Sequence, residues 1–184
     1  LWEVYLRVSE QGLERELDAF AAALSADTVH GARELASACL DFLARVCRNS
    51  TAATAQTLAG DVIGAANRLR GLRPSMVMIE RTLRLLVCDV PDSPTIDAAR
   101  AGWESVIERH RRSLDTAVEQ TIAQLAKIIP EGKCLLLHSY SSSIAKALVT
   151  FQRLGSRVIT TESHPGLEGR HTAELCARIG LPVR

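Results

Sequence analysis

Along the first two-thirds of the chain, apolar residues recur with the spacing of helices. Trp2, Leu6, Leu13, Leu17, Phe20 and Leu24 fall three, four or seven apart, which marks one helical face. Asp27 and Thr28 are cap-type residues, and a second helix is predicted to follow them through Leu35, Cys39, Phe42, Leu43 and Val46. A third helix carries Ala55, Leu58, Val62, Ala66 and Leu69. Pro74 suits the first turn of a fourth, which continues through Met78, Leu83 and Leu86. After the two-proline loop "DVPDSPT", apolar positions from Ile96 to Ile128 define one long helix, stopped by Pro130 and Gly132.

The pattern then changes period. "KCLLL", residues 133–137, is a short continuous apolar run of the kind that forms a buried parallel strand. "SSIAKALVTFQRLG" is a helix ending at Gly155, "RVITTE" (157–162) a β-branched strand, and "LEGRHTAELCARIG" a helix ending at Gly180. "LPVR" begins a third strand. The expected fold class is therefore α/β and multi-domain: a helical domain over residues 1–130, then the first half of a Rossmann-like parallel βαβα domain over 131–184. So small a parallel sheet needs more cover than these residues supply, so the chain is expected to be part of a longer protein.

Composition narrows the class without naming a chemistry. The 184 residues are 47% hydrophobic and 23% charged, the balance of a water-soluble globular protein. A net charge of +1 gives no electrostatic footprint for direct nucleic-acid binding. The one basic cluster, Arg109-His110-Arg111-Arg112, reads as a solvated helix face. Five scattered cysteines form no C-x-x-C pair, which argues against zinc and a disulfide framework and for a reducing, cytoplasmic setting. No metal site is expected, no cofactor, and no membrane segment.

Candidate chemistry gathers in two polar loops. In open α/β sheets ligands bind outside the carboxyl ends of the strands. "HSYSSS" follows the first strand, and "ESHPGLEGR" follows the second. Ser141, Ser142 and Ser143 open the next helix, where hydroxyls and free N–H groups suit either an anion or simple capping. In the second loop Arg170 and His164 are phosphate-type donors, while Glu162 and Arg170 are equally suited to pair with each other. No P-loop, G-x-G-x-x-G, H-E-x-x-H or G-x-S-x-G is present.

"EGKCLLLHSYSSSIAKAL" and "RVITTESHPGLEGRHTAELCARIGLPV" resemble one family, as do "DTVHGARELA" and "GLRPSM" upstream. That family unites the regulatory subunits of translation initiation factor 2B with isomerases of methylthioribose 1-phosphate and ribose 1,5-bisphosphate. The resemblance implies a helical domain followed by a Rossmann-like one, and a homodimer or hetero-oligomer formed through the second. It further implies a phosphorylated sugar or nucleotide bound between the two, with Gly31, Ala32 and Arg73 contributed by the first domain. Ser139, Ser141, Glu162, His164 and Arg170 would line the opposite wall. Arg73, which precedes Pro74, is equally suited to a charge at a helix C-terminus.

The resemblance also marks where this chain departs from the isomerases. Their loop cysteine is Ser139 here, their second-loop arginine is His164, and the arginine before their Gly-Ala pair is His30. Their catalytic aspartate lies beyond Arg184. A thiol has a reference pKa of about 8.5, and serine is a far weaker acid. The residues therefore point to a non-catalytic, ligand-binding regulator, with no catalytic residue assigned. The alternatives are an isomerase with an altered acid–base set, in which Ser139 is catalytic, and an assembly subunit whose pocket is empty.

Overall fold

The computed structural model describes residues 12–184. Trp2 and Leu6, read as part of the first helical face, lie outside the described residues. Among the described residues seven helices and two strands follow in order: α1 (Leu13–Ala26), α2 (Ala32–Asn49), α3 (Ala55–Arg70), α4 (Val77–Cys88), α5 (Ile96–Ile128), β1 (Cys134–Leu137), α6 (Ser142–Arg153), β2 (Arg157–Thr160) and α7 (Glu168–Arg178). They form two compact units that divide within α5, between Ser113 and Leu114.

The first unit is all helix. The apolar faces read from the sequence meet in one core: Leu17, Phe20 and Leu24 of α1 are buried, as are Leu35, Phe42 and Leu43 of α2. Leu58, Val62 and Leu69 of α3, Ile79, Leu83 and Leu86 of α4, and Trp103 of α5 complete it. Phe20 and Phe42 stack with ring centroids 4.5 Å apart. Two arginines satisfy the carbonyls that helix ends leave without partners. Arg100 donates to the carbonyls of Cys47, Arg48 and Ser50 at the end of α2. Arg73 does the same for α1.

Two local expectations are corrected here. Asp27 does not cap α2; its carboxylate accepts from the Val29 and His30 amides at 3.0 and 2.8 Å and shapes a turn ahead of the helix. Gly31 is the N-cap residue, and the Glu34 carboxylate accepts its N–H at 2.9 Å. Pro74 is not in the first turn of α4. It occupies the second position of a turn closed by the Met76 N–H on the Arg73 carbonyl at 2.9 Å, a place its fixed φ favours, and the helix starts three residues later.

The basic cluster on α5 is not simply solvated. His110 is largely buried and shares the Asp89 carboxylate with Arg109. Arg111 bridges to Glu108 and Asp41. These tie α5 to the helices beneath it.

In the second unit β1 and β2 pair in parallel, Cys134 opposite Arg157 through Leu137 opposite Thr160. Val183 bridges to Val158, also in parallel, so the expected third strand begins where "LPVR" lies. Ala147, Leu148 and Phe151 of α6, Val158 of β2, Cys176 of α7 and Leu181 form the core. Ile122 and Leu125 from the end of α5 pack on it. Gly155 and Gly180 take positive φ just past the ends of α6 and α7, and Gly132 does so in the turn before β1, without the penalty a Cβ would bring.

The strands are less buried than an apolar run implies. Leu135, Leu137 and Val158 face the core, but Leu136 is 70% exposed and Ile159 43%. Strands joined by successive right-handed crossovers in one direction lay their helices on one face of the sheet. Within the second unit the alternate side chains therefore have no helix over them.

Candidate ligand site at the strand ends

The carboxyl ends of β1 and β2 bring their loops together. The Ser139 N–H donates to the Ser163 hydroxyl at 2.9 Å. Ser163 Oγ lies 2.9 Å from Thr161 Oγ1, which in turn lies 2.8 Å from His138 Nδ1. A chain of hydroxyls and one imidazole thus joins the residue after β1 to the residues after β2. Ser139 and Ser163 both hold φ near 60°, a left-handed conformation that non-glycine residues adopt rarely and that clusters at functional sites. Here the interloop hydrogen bonds hold it.

Ser141 is the N-cap residue of α6, its hydroxyl accepting from the Ile144 amide. Ser142 is buried in the first turn. Beside them lies a cavity of about 230 Å³, with His138, Ser139 and Ser141 at its polar side and Leu137, Ile144, Leu148 and Leu175 on its apolar walls. Capping and an anion-facing position are compatible, because a cap satisfies only part of the first turn's N–H groups.

The second loop is organised around Glu162. Arg170 donates to Oε1 through Nε at 2.9 Å and Nη2 at 2.6 Å, and His164 Nε2 lies 3.2 Å from Oε2. The Arg170 guanidinium, followed by His164, holds the Glu162 carboxyl below its ordinary range. All three side chains are exposed. The pairing of Glu162 with Arg170, one of the two arrangements open from the sequence, is present. α7 approaches this loop so closely that a Cβ at Gly169 would lie 1.7 Å from the Thr161 carbonyl oxygen.

In the first unit Gly31 and Ala32 sit at the start of α2. His30 Nδ1 lies 2.7 Å from Asp27 Oδ2. Burial pushes the Asp27 carboxyl up, but the His30 and Val29 hydrogen bonds outweigh it and the net shift is downward. Arg73 Nη1 donates to the carbonyls of Leu24, Ser25 and Asp27. Its guanidinium therefore tethers the end of α1 to the loop before α2. The expected residues thus fall into two groups, Gly31, Ala32 and Arg73 in one unit and Ser139, Ser141, Glu162, His164 and Arg170 in the other.

Sequence reading passes over Thr161, Ser163, His138 and Gly169. The signal that marks the first two is the hydroxyl-rich "TTES" at a strand end. Gly169 stands out only as a glycine in a helix's first turn. The thiols of the second unit, Cys134 and Cys176, offer no substitute nucleophile. Cys39, Cys47 and Cys176 are buried, and burial drives the Cys39 thiol up to about 12. Cys134 is exposed, but it lies at the amino end of β1, opposite the site. Among the described residues no cluster of His, Cys, Asp or Glu is arranged to hold a metal ion, and no helix is long and apolar enough to cross a membrane.

The chain is similar to proteins of two kinds. A ribose 1,5-bisphosphate isomerase of Pyrococcus furiosus is 26% identical over 175 residues, covering 92% of this chain and 54% of that protein. The chain therefore spans about half the length of that relative. Among solved structures, 5-methylthioribose 1-phosphate isomerase of Pyrococcus horikoshii OT3 matches with a TM-score of 0.71 at 21% identity, over 91% of this chain and 51% of that one, which bears on the fold alone. A chain of the tetrameric eIF2B-beta2-delta2 complex of C. thermophilum matches with a TM-score of 0.69 at 25% identity, covering 100% of this chain and 63% of its own. Residues 28–184 fit the model of the Initiation factor 2 subunit family, and the chain belongs to that family.

Proposed function

We propose that this protein binds a phosphorylated sugar or nucleotide at the strand ends of its second unit, without turning it over, as a regulatory member of its family. The observation that carries the reading is Ser139. It stands where the resemblance puts the isomerases' cysteine, and its backbone is fixed by the Ser163 hydroxyl at 2.9 Å. A general acid or base works best with a pKa near the operating pH, and a serine hydroxyl lies far above it. Cys134 cannot move into its place, since five residues of extended chain span roughly 16 Å.

Binding nonetheless has support. The α6 amino end, the Ser141 hydroxyl and the adjoining cavity offer donors beside an apolar wall, a combination typical of small-molecule pockets. The sheet continues a parallel β-α-β-α course, so we read the second unit as Rossmann-like, where ligands sit at these strand ends. Association with further subunits, through this unit, completes the proposal. It is supported by the likeness to the tetrameric beta2-delta2 complex.

A second reading, an isomerase with an altered acid–base set, draws on one observation. His164 and Glu162 form an imidazole–carboxylate pair 3.2 Å apart at the strand edge, a pair able to exchange a proton. Titration calorimetry with ribose 1,5-bisphosphate and methylthioribose 1-phosphate, run beside a turnover assay, separates the two. Saturable binding with no product supports the regulator. Turnover abolished by Ser139→Ala supports the isomerase, and its loss in His164→Gln as well would add the pair to the acid–base set.

A further inference from the structure

We infer that Glu162 is the specificity-determining residue of the second unit, accepting the 2′-hydroxyl of a ribose-type ligand, and that Arg170 is the positioning residue that aims it. The inference rests on the proposed phosphate-binding reading of this unit and adds to it the part of the ligand that is not phosphate.

Arg170 is poorly placed to take a phosphate itself. Its Nε and Nη2 both donate to Glu162 Oε1, so a phosphate brought onto that fork would meet the carboxylate's charge at close range. What the cluster presents outward is the carboxylate. A carboxylate accepts only, with about four lone-pair positions on two oxygens. Oε1 already takes two donors, whereas Oε2 takes one, from His164, and retains capacity on an exposed side chain. Arg170 and then His164 hold its carboxyl below the ordinary range.

Its place in the fold says which donor it meets. Glu162 follows β2, the strand beside β1, and Ser163 next to it bonds the Ser139 amide in the loop after β1. An acidic side chain at this point, about 20 residues beyond a phosphate-binding turn, takes a ribose 2′-hydroxyl in dinucleotide-binding folds. The spacing from Ser139 to Glu162 fits that arrangement. A site with a built-in hydroxyl acceptor rejects the analogue that lacks the hydroxyl, because a charged acceptor is left without its partner.

The test is calorimetry on the full-length protein with matched pairs: ribose 5-phosphate against 2-deoxyribose 5-phosphate, and adenosine 5′-monophosphate against its 2′-deoxy form. The expected result is a preference of about tenfold or more for the hydroxylated member, the scale of one hydrogen bond to a charged group. Glu162→Gln, verified as folded by its thermal melt, is expected to bring the two members together, while inorganic phosphate binds as before. Equal affinity of wild-type protein for both members overturns the role of Glu162 and leaves phosphate binding standing. Failure of every phosphorylated compound to bind overturns both.

Discussion

The Ser139 amide and the Ser163 hydroxyl, 2.9 Å apart, are the joint between the two loops of the candidate site. Ser139 adopts a left-handed backbone, and the neighbouring hydroxyls of Ser163 and Thr161 supply what holds it there. Ser163→Ala removes the acceptor and leaves the Ser139 N–H without its partner. The expected loss is about 1 kcal/mol of stability, read from urea denaturation. Because the loop after β1 loses its anchor, phosphate affinity should fall as well. Unchanged affinity would mean that the joint is structural only.

Gly169 lets α7 begin against the end of β2. A methyl group there would lie 1.7 Å from the Thr161 carbonyl oxygen, against the Thr161–Glu162 backbone and with no flexible side chain to yield. Gly169→Ala should therefore lower stability despite alanine's better helix propensity, by about 1–3 kcal/mol or more. Thermal melting checks the sign. A stabilised variant would show that α7 can move away freely.

The turn at Asp27 makes a prediction about pH. Its carboxyl is held below the ordinary value of about 3.9 in the folded chain, so the contribution is present above that value and is lost as pH falls through the lower, folded one. Asp27→Asn should be less stable than wild type at neutral pH, with the gap closing as pH falls below about 4. Melts over that range give the answer, and a gap that widens toward acid would contradict the assignment.

Arg73 makes its hydrogen bonds to carbonyls at the end of α1 and in the loop after it. Arg73→Leu is expected to cost about 1–2 kcal/mol, the range for hydrogen bonds from a charged group and a helix-end charge combined. If the variant instead keeps its stability and loses phosphate affinity, the guanidinium serves a ligand.

Much of the fold is legible in the sequence because it rests on period. The three-and-four spacing located α1 to α5, and the switch to a short apolar run and a β-branched one located β1 and β2. Boundaries set by a single side chain are harder to read. Asp27 satisfies turn amides in place of helix amides, and Pro74 serves a turn, alternatives that propensity does not separate. Exposure of Leu136 and Ile159 follows from which face the crossover helices cover, a property of topology that an apolar run does not carry. For the candidate site, Ser139, Ser141, Glu162, His164 and Arg170 are legible as polar residues at strand ends. The parts played by Ser163 and Thr161 are not, since they come from contacts between loops more than 20 residues apart in sequence, and that of Gly169 comes from how closely α7 packs on the end of β2.

A serine at position 139, in place of a thiol, is expected to permit binding without turnover. Phosphorus NMR of ribose 1,5-bisphosphate mixed with the protein tests it most directly, since one spectrum reports both binding and conversion. Resonances should shift or broaden in a saturable way while no ketose phosphate accumulates over hours. Steady conversion to a ketose bisphosphate that stops in Ser139→Ala would contradict it.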